Sequence, residues 1–427
     1  MKTAFIGHWS LGLDWSFGFG HWSFIGTPSP MSSSADSNHD LPLAAGRDGA
    51  SLVLPWLTAA WLVSIVFGAV LLPLVGSPAG NEMTLDRALF VATNAATLTG
   101  FGGAGMDTLN VIGRNVLLML TAGGTIYTLT VGGTLLSRIL RLPYTAWDLF
   151  WVAAMAVGAI FLLVTIATPS RSVELMQQLS LGGLGNSGLI VGGRPPAVDR
   201  PIVHLIVLPL AVLGGLGLPV LLNLWHALRR REAVHPYVSL VLRLTAGAYL
   251  LGFAIIFACH LLDGRMGTSM VVSSSVASLD ARSLGMGFES ISNWPRTVPW
   301  VLMPLMILGA APGGTAGGIT LLAPVLLWIG LRRTFSGESA GRAFGIACVW
   351  LVIYTVALSL TTLGLVATTP QVGGDRLLFM AVSAVGTVGL SHEPVSIVGP
   401  PLHVLTLAML FGRLAPLAVM AWLDDRD

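Results

Sequence analysis

Apolar runs of two lengths alternate along the chain. The long ones fall near 53–75, 115–137, 147–168, 201–225, 238–262, 297–330, 343–367 and 401–423. Each is long enough to cross a hydrocarbon core of ~30 Å as a helix rising ~1.5 Å per residue. Between the members of each successive pair lies a shorter, moderately apolar stretch that ends in Ser, Thr or Asn and then Gly. About ten to twelve helical residues reach only ~15–18 Å, half of that core, so such a segment enters and returns without spanning. The 297–330 run is too long for one straight span and is interrupted by GAAPGG and TAGG, which predicts a helix broken at that point.

The four returns share a form: Thr97-Leu98-Thr99-Gly100-Phe101, Gly185-Asn186-Ser187-Gly188-Leu189, Arg282-Ser283-Leu284-Gly285-Met286 and Thr387-Val388-Gly389-Leu390-Ser391. A second glycine follows in each case, Gly123, Gly214, Gly309 and Gly412, at offsets of 23, 26, 24 and 23 residues. One match would carry little in a chain with 51 glycines. Four matches to a two-part pattern, each between a pair of spans, predict a fourfold repeat of helix, re-entrant loop and helix. The expected divisions are a solvated leader over 1–50, then repeats over 51–140, 141–230, 231–335 and 336–427. The leader carries Gly-His-Trp-Ser twice, at 7–10 and 20–23, and a second methionine at Met31 is an alternative start.

Non-helical backbone at membrane depth must be buried in protein or line a polar path, because lipid offers its N–H and C=O groups no partner. Glycine permits a positive φ, so successive carbonyls can turn toward one axis. Four such turns would form a ring of oxygens that suits a dehydrated monovalent cation. Thr387-Val388-Gly389 also repeats the first three residues of the TVGYG filter of K⁺ channels.

Composition agrees. Charged residues make up only 10% of the chain and hydrophobic ones 54%, with a mean hydropathy of +0.79. Soluble domains carry about 25% charge; the expectation is an all-α polytopic membrane protein of eight transmembrane helices around a central pore. The net charge of +2 gives no reason to expect a nucleic-acid partner. Cys259 and Cys348 lie in apolar runs and read as buried hydrophobes, with no metal or cofactor implied. GGTAGGIT lacks the lysine of a nucleotide-binding loop. Arginines of the short connectors, such as Arg138, Arg141, Arg229, Arg230, Arg332 and Arg333, mark the inner side and place both termini there.

With these motifs in order, the chain resembles the Trk/Ktr/HKT superfamily of K⁺ transporters over nearly all of 50–423. FVATNAATLTGFGGAGMDT (90–108) is similar to that family's first pore loop, and LGNSGL with VLGGLGLPVLL (212–222) to its second loop and inner helix. GAAPGGTAGGIT (309–320) resembles its glycine-rich intramembrane loop, and AVSAVGTVGLS (381–391) with GRLAPLAV (412–419) its last loop and arginine-bearing helix. The resemblance implies a selectivity filter of Thr99, Gly100, Ser187, Gly188, Leu284, Gly285, Val388 and Gly389, with K⁺ held at the four glycines. It implies a gate of Gly313, Gly314, Thr315, Gly317 and Gly318, with Arg413 as a charge barrier below the filter. It further implies an inner (plasma) membrane location, a homodimer in membrane lipid, and a separate cytosolic nucleotide-binding regulatory ring. Gly100 stands where a serine accompanies Na⁺ transport in plant members. The third turn departs from the family's Thr-Ala-Gly-Phe, and Gly314 replaces a usual serine.

Other readings stay open from sequence. A Na⁺-permeable or non-selective cation transporter of the same fold fits the same motifs, and so does a non-conducting relative. Gly185-Asn186-Ser187-Gly188 also fits an intramembrane serine protease in which Ser187 is activated by His204, His260 or His403. Arg282 either flanks the third turn or pairs with Asp280 or Glu289, and Arg413 either faces a pore or snorkels to an interface.

Overall fold

The computed structural model describes residues 45–77, 83–103, 106–168, 173–192, 195–231, 233–265, 267–392, 395 and 398–424. The expected leader up to residue 44 lies outside the described residues. Residues Arg47–Asp427 form one compact unit. Helices account for its regular structure, and the single bridge among the described residues pairs Gly103 with Val395.

Long and short helices follow one another in a recurring order. Helix α1 (Ala45–Leu71) widens into a π turn (Leu72–Gly76), then come α2 (Leu85–Ala96) and α3 (Val111–Ile139). Next are α4 (Ala146–Ala167), α5 (Val173–Gly185), α6 (Leu208–Leu216) and α7 (Leu218–Arg230). Then follow α8 (Pro236–Leu262), α9 (Thr268–Leu279), α10 (Val298–Leu308) and α11 (Leu322–Phe335). The last set is α12 (Arg342–Thr368), α13 (Gly374–Val385) and α14 (Pro400–Asp424). The short members α2, α5, α9 and α13 have 12 or 13 residues, as a return within the membrane requires.

Six helices among the described residues are long and apolar enough to cross a membrane unbroken. The remaining two of the eight expected spans are interrupted. The break between α10 and α11 is where GAAPGG and TAGG predict it. The break between α6 and α7 was not expected: 201–225 reads as one apolar run, yet its halves diverge by 98°. The cause is Gly217, which adopts φ +80 and takes the Gly313 carbonyl so closely that a β-carbon there would strike it. Pro219, two residues on, withholds an N–H that a continuous helix would need.

Burial sorts the long helices. The apolar window of α3 is 72% buried, against 17% for α4 and α8 and 22% for α12. Helix α3 is therefore central and the other three face lipid. Several of its threonines return their hydroxyls to the preceding turn, Thr125 to Thr121 O at 2.8 Å and Thr134 to Thr130 O at 2.7 Å, whereas the Thr130 and Ser137 hydroxyls are buried without a partner among the described residues.

The second glycine of the repeat has a packing role. A β-carbon on Gly124 would strike the Ala96 carbonyl, one on Gly214 the Leu184 carbonyl, and one on Gly412 the Val385 carbonyl. Each contacted residue lies four before the loop glycine of its own repeat. Bare backbone on the long helix thus lets the short helix end against it. In the first repeat the contact falls on Gly124 and not on Gly123, which faces open space. Trp61 adds a clamp, donating from Nε1 to Ala96 O at 3.2 Å while stacking on Tyr127 at 4.6 Å.

Gly217→Val combines a strained φ with a backbone collision and should cost about 2 kcal/mol or more. Gly247→Val, in open space on α8, is the control. Thermal unfolding in detergent should show a lowered midpoint for the first only; equal midpoints would mean that the bend does not depend on Gly217.

Candidate functional site

Each short helix ends in a turn that reverses the chain, and three of the four turn alike. Leu98 (φ 60), Asn186 (φ 50) and Thr387 (φ 47) adopt the left-handed conformation two residues before Gly100, Gly188 and Gly389. The following N–H reaches back five residues, Thr99 to Asn94 O at 3.1 Å, Ser187 to Gly182 O at 2.8 Å and Val388 to Ser383 O at 2.9 Å. This is the closing bond of a Schellman turn. All three left-handed residues carry side chains, a strain that only enclosing structure maintains.

The third turn is built differently. Residues Asp280–Leu284 form a π turn, and Gly285 itself is left-handed at φ 64. The Asp280 carboxylate accepts from Met286 N at 2.7 Å and Gly287 N at 3.0 Å. In the first turn Asn94 Oδ1 accepts from Gly100 N and Phe101 N, both at 2.9 Å. By this register Met286 is level with Gly100, and Gly285 takes the place of the residue before it.

The four turns meet in a closed ring. A β-carbon on Gly100 would collide with the Gly188 backbone, one on Gly188 with the Gly285 carbonyl, one on Gly285 with the Val388 carbonyl, and one on Gly389 with the Thr99 carbonyl. Each segment abuts the next and the fourth returns to the first. Thr99, Ser187, Leu284 and Val388 are buried beside these glycines. Among the described residues, the carbonyls of Thr99, Gly100, Ser187, Gly188, Leu284, Gly285, Val388 and Gly389 accept no hydrogen bond. Buried carbonyls are ordinarily paired with protein or ordered water, so these eight oxygens are left open to water or a cation.

The glycine-rich segment after α10 lies against the ends of these turns. Thr315 is fully buried and ties its own repeat to the second. Its hydroxyl donates to Leu184 O at 3.0 Å and accepts from Asn186 Nδ2 at 2.7 Å, and its N–H donates to Gly214 O at 3.0 Å. Gly313 packs on Gly132, Gly314 on the Gly215 carbonyl, and Gly317 on Gly386 and the Thr387 hydroxyl. Gly318 (φ 84) folds back on Ile307 and Gly309. Trp350 Nε1 closes the far end on Ile319 O at 3.2 Å.

Two buried arginines tie this segment down. Arg413 donates from Nε to Thr97 O at 2.8 Å, from Nη1 to Thr315 O at 2.6 Å, and from Nη2 to Thr97 O and to Thr387 Oγ1 at 3.2 Å. It joins the first and fourth turns to the glycine-rich segment and does not snorkel. Arg282 forms an ion pair with neither Asp280 nor Glu289. It donates to Gly309 O at 3.3 Å and Thr245 O at 3.0 Å, while Glu289 accepts from Ser273 Oγ and from Trp294 Nε1 at 3.1 Å.

The pairing that a serine protease needs is not formed. Ser187 Oγ has no hydrogen-bond partner, both ring nitrogens of His260 are likewise unpaired, and His204 is bonded to Val198 O at 2.7 Å. The side chains of Asn94, Asn186 and Asp280 were not expected from sequence to support these turns. The signal for two of them is an Asn or Asp six residues before the level of the ring, Asn94 before Gly100 and Asp280 before Met286.

No family model matches the chain. It is similar to Ktr system potassium uptake protein B of Vibrio alginolyticus, 24% identical over 79% of this chain and 84% of that one. Ktr system potassium uptake protein D of Bacillus subtilis is 23% identical over 83% and 89%. The potassium/sodium uptake protein NtpJ of Enterococcus hirae is 24% identical over 78% and 84%. In fold, the chain matches the crystal structure of the potassium transporter TrkH from Vibrio parahaemolyticus with a TM-score of 0.68, covering 91% and 86% of the two chains at 18% identity.

Arg413→Met removes the donors to Thr97 O and Thr315 O and should cost about 3 kcal/mol or more. Arg114→Met breaks a half-exposed pair with Glu174 at 2.6 Å and should cost about 1 kcal/mol or less. Comparable melting midpoints for the two variants would show that Arg413 does not hold the turns together.

Proposed function

Because the chain belongs to the Trk/Ktr superfamily, we propose that it takes up K⁺ through the ring of carbonyl oxygens, down the electrochemical gradient and without covalent chemistry. The observation that carries this reading is the set of eight buried carbonyls without donors. A dehydrated cation is the ligand they fit: it replaces its lost water with oxygen dipoles and needs no counter-charge at each position. Helix ends favour the same sign. Helices α2, α5 and α13 and the π turn after α9 all stop just before the ring, directing the negative ends of their dipoles toward it.

Thr99, Gly100, Ser187, Gly188, Leu284, Gly285, Val388 and Gly389 form the filter in this proposal. The segment holding Gly313, Gly314, Thr315, Gly317 and Gly318 closes the path beneath it. Arg413, fixed between them, sets a positive charge that a cation must pass. Arg413 is in this reading both a clamp and a barrier. We extend the proposal to a homodimer in membrane lipid, to a separate cytosolic nucleotide-binding ring as regulator, and to both termini on the inner side of the plasma membrane. The arginine-rich ends of α7 and α11, Arg229-Arg230 and Arg332-Arg333, support that orientation.

A second reading, Na⁺ permeation through the same ring, is favoured by one feature. The third turn departs from the other three, and a ring with one irregular member discriminates less by size.

Rubidium uptake into cells lacking their own K⁺ transporters tests the proposal directly, with uptake expected and Na⁺ a poor competitor. Strong competition by Na⁺ would favour the second reading, and no uptake by protein present in the membrane would refute both. Gly100→Ser places a side chain against the Gly188 backbone and should raise Na⁺ competition about tenfold. Unchanged competition would remove Gly100 from the filter. Thr315→Val keeps the shape but loses the bonds to Leu184 and Asn186, loosening the loop, so Rb⁺ flux per copy should rise. A fall in flux with normal abundance would make the loop part of the conducting path.

A further inference from the structure

The four turns are supported unequally. Among the described residues, only the first and third are held by a side chain that bonds to successive N–H groups at the level of the ring. In the second the residue six before Gly188 is Gly182, and in the fourth the Ser383 hydroxyl has no partner. The ring runs first, second, third, fourth, so the two supported turns lie opposite one another across it. The first support, Asn94, is neutral; its Oδ1 takes both N–H groups and its Nδ2 donates to Phe101 O at 2.8 Å. The third, Asp280, is a carboxylate buried to 3% exposure.

A buried carboxylate would ordinarily be matched by a cation. The nearest in sequence, Arg282, directs its guanidinium to Gly309 O and Thr245 O and forms no ion pair with Asp280. The polar partners of Asp280 are the Met286 and Gly287 N–H groups, and its own carbonyl accepts from Gly285 N at 2.9 Å. Those two side-chain bonds have a consequence in the peptide units. The Met286 N–H shares its peptide with the Gly285 carbonyl, and the Gly287 N–H shares its peptide with the Met286 carbonyl. Donating to a full negative charge shifts electron density along each amide toward its oxygen. Gly285 O is a ring oxygen, the one that a β-carbon on Gly188 would strike.

We propose that Asp280 is a positioning residue that sets the affinity of the ring for its cation: its charge, relayed through the Met286 and Gly287 peptides, makes the third turn the strongest oxygen donor of the four. The inference rests on the transport reading above. It gives the charge in the third turn a purpose, since the neutral Asn94 already makes the same pair of bonds in the first.

Asp280→Asn separates charge from support, because an asparagine can repeat the bonding that Asn94 already makes in the opposite turn. The measurement is Rb⁺ uptake by the full-length protein in vesicles, read as KM and Vmax per copy. Asp280→Asn should raise KM about five- to tenfold with Vmax changed less than twofold. Asn94→Asp should lower KM, and the double variant, which moves the charge across the ring, should return KM toward the wild-type value. A KM unchanged in Asp280→Asn would overturn the proposal and leave Asp280 as a purely structural support. Should Asp280→Asn fail to reach the membrane, Asn94→Asp decides alone: a lower KM supports the proposal and an unchanged or higher one overturns it. Absence of uptake by the wild type would instead refute the transport reading, and this inference with it.

Discussion

A backbone carbonyl inside a membrane has no water to turn to, and this protein places eight of them in one ring without donors. Most other features of the chain follow from tolerating that arrangement. The short helices must stop halfway, because only non-helical backbone frees its carbonyls. The turns that follow must be enclosed on all sides, since Leu98, Asn186 and Thr387 hold conformations that side chains disfavour. The enclosure comes from bare backbone on the long helices at Gly124, Gly214 and Gly412, against which the short helices end.

The same economy explains the two buried arginines. A guanidinium has five donors and no acceptor, so it can serve several helix-end carbonyls at once. Arg413 takes Thr97 O and Thr315 O, and Arg282 takes Gly309 O and Thr245 O. Each therefore joins a turn of the ring to the glycine-rich segment. With Thr315 bonded to Leu184 and Asn186, and Gly317 against Thr387, that segment touches all four repeats. Moving it would disturb the ends of the turns as well, so the ring and the segment beneath it are mechanically one body in this conformation.

Inequality among the turns is the other theme. A fourfold repeat within one chain frees each copy to diverge, and the third has diverged most. Its π turn and its acidic support have no counterparts in the other three. An acidic side chain supports the third turn and a neutral amide the opposite first one, so the ring is not supported symmetrically.

Much of this was legible in the residues. Apolar run length separated spans from returns, because hydrocarbon thickness sets a fixed helix length, and the four loop glycines were found by a repeated two-part spacing. The break at 309–320 could be read from clustered glycine and Pro312, which disfavour helix locally. The bend at Gly217 could not, because it depends on the Gly313 carbonyl, 96 residues distant in sequence, lying where a side chain would be. Nor could the partners of Arg282 and Arg413 be read, since both bond to carbonyls, which every residue carries and no sequence pattern marks. The sequence by itself determined the class of protein and the alternation of long and short helices. Only the tertiary structure decided that Met286 comes level with Gly100, and that Asp280 holds the third segment, because backbone register and hydrogen-bond partnership are settled when the four turns meet.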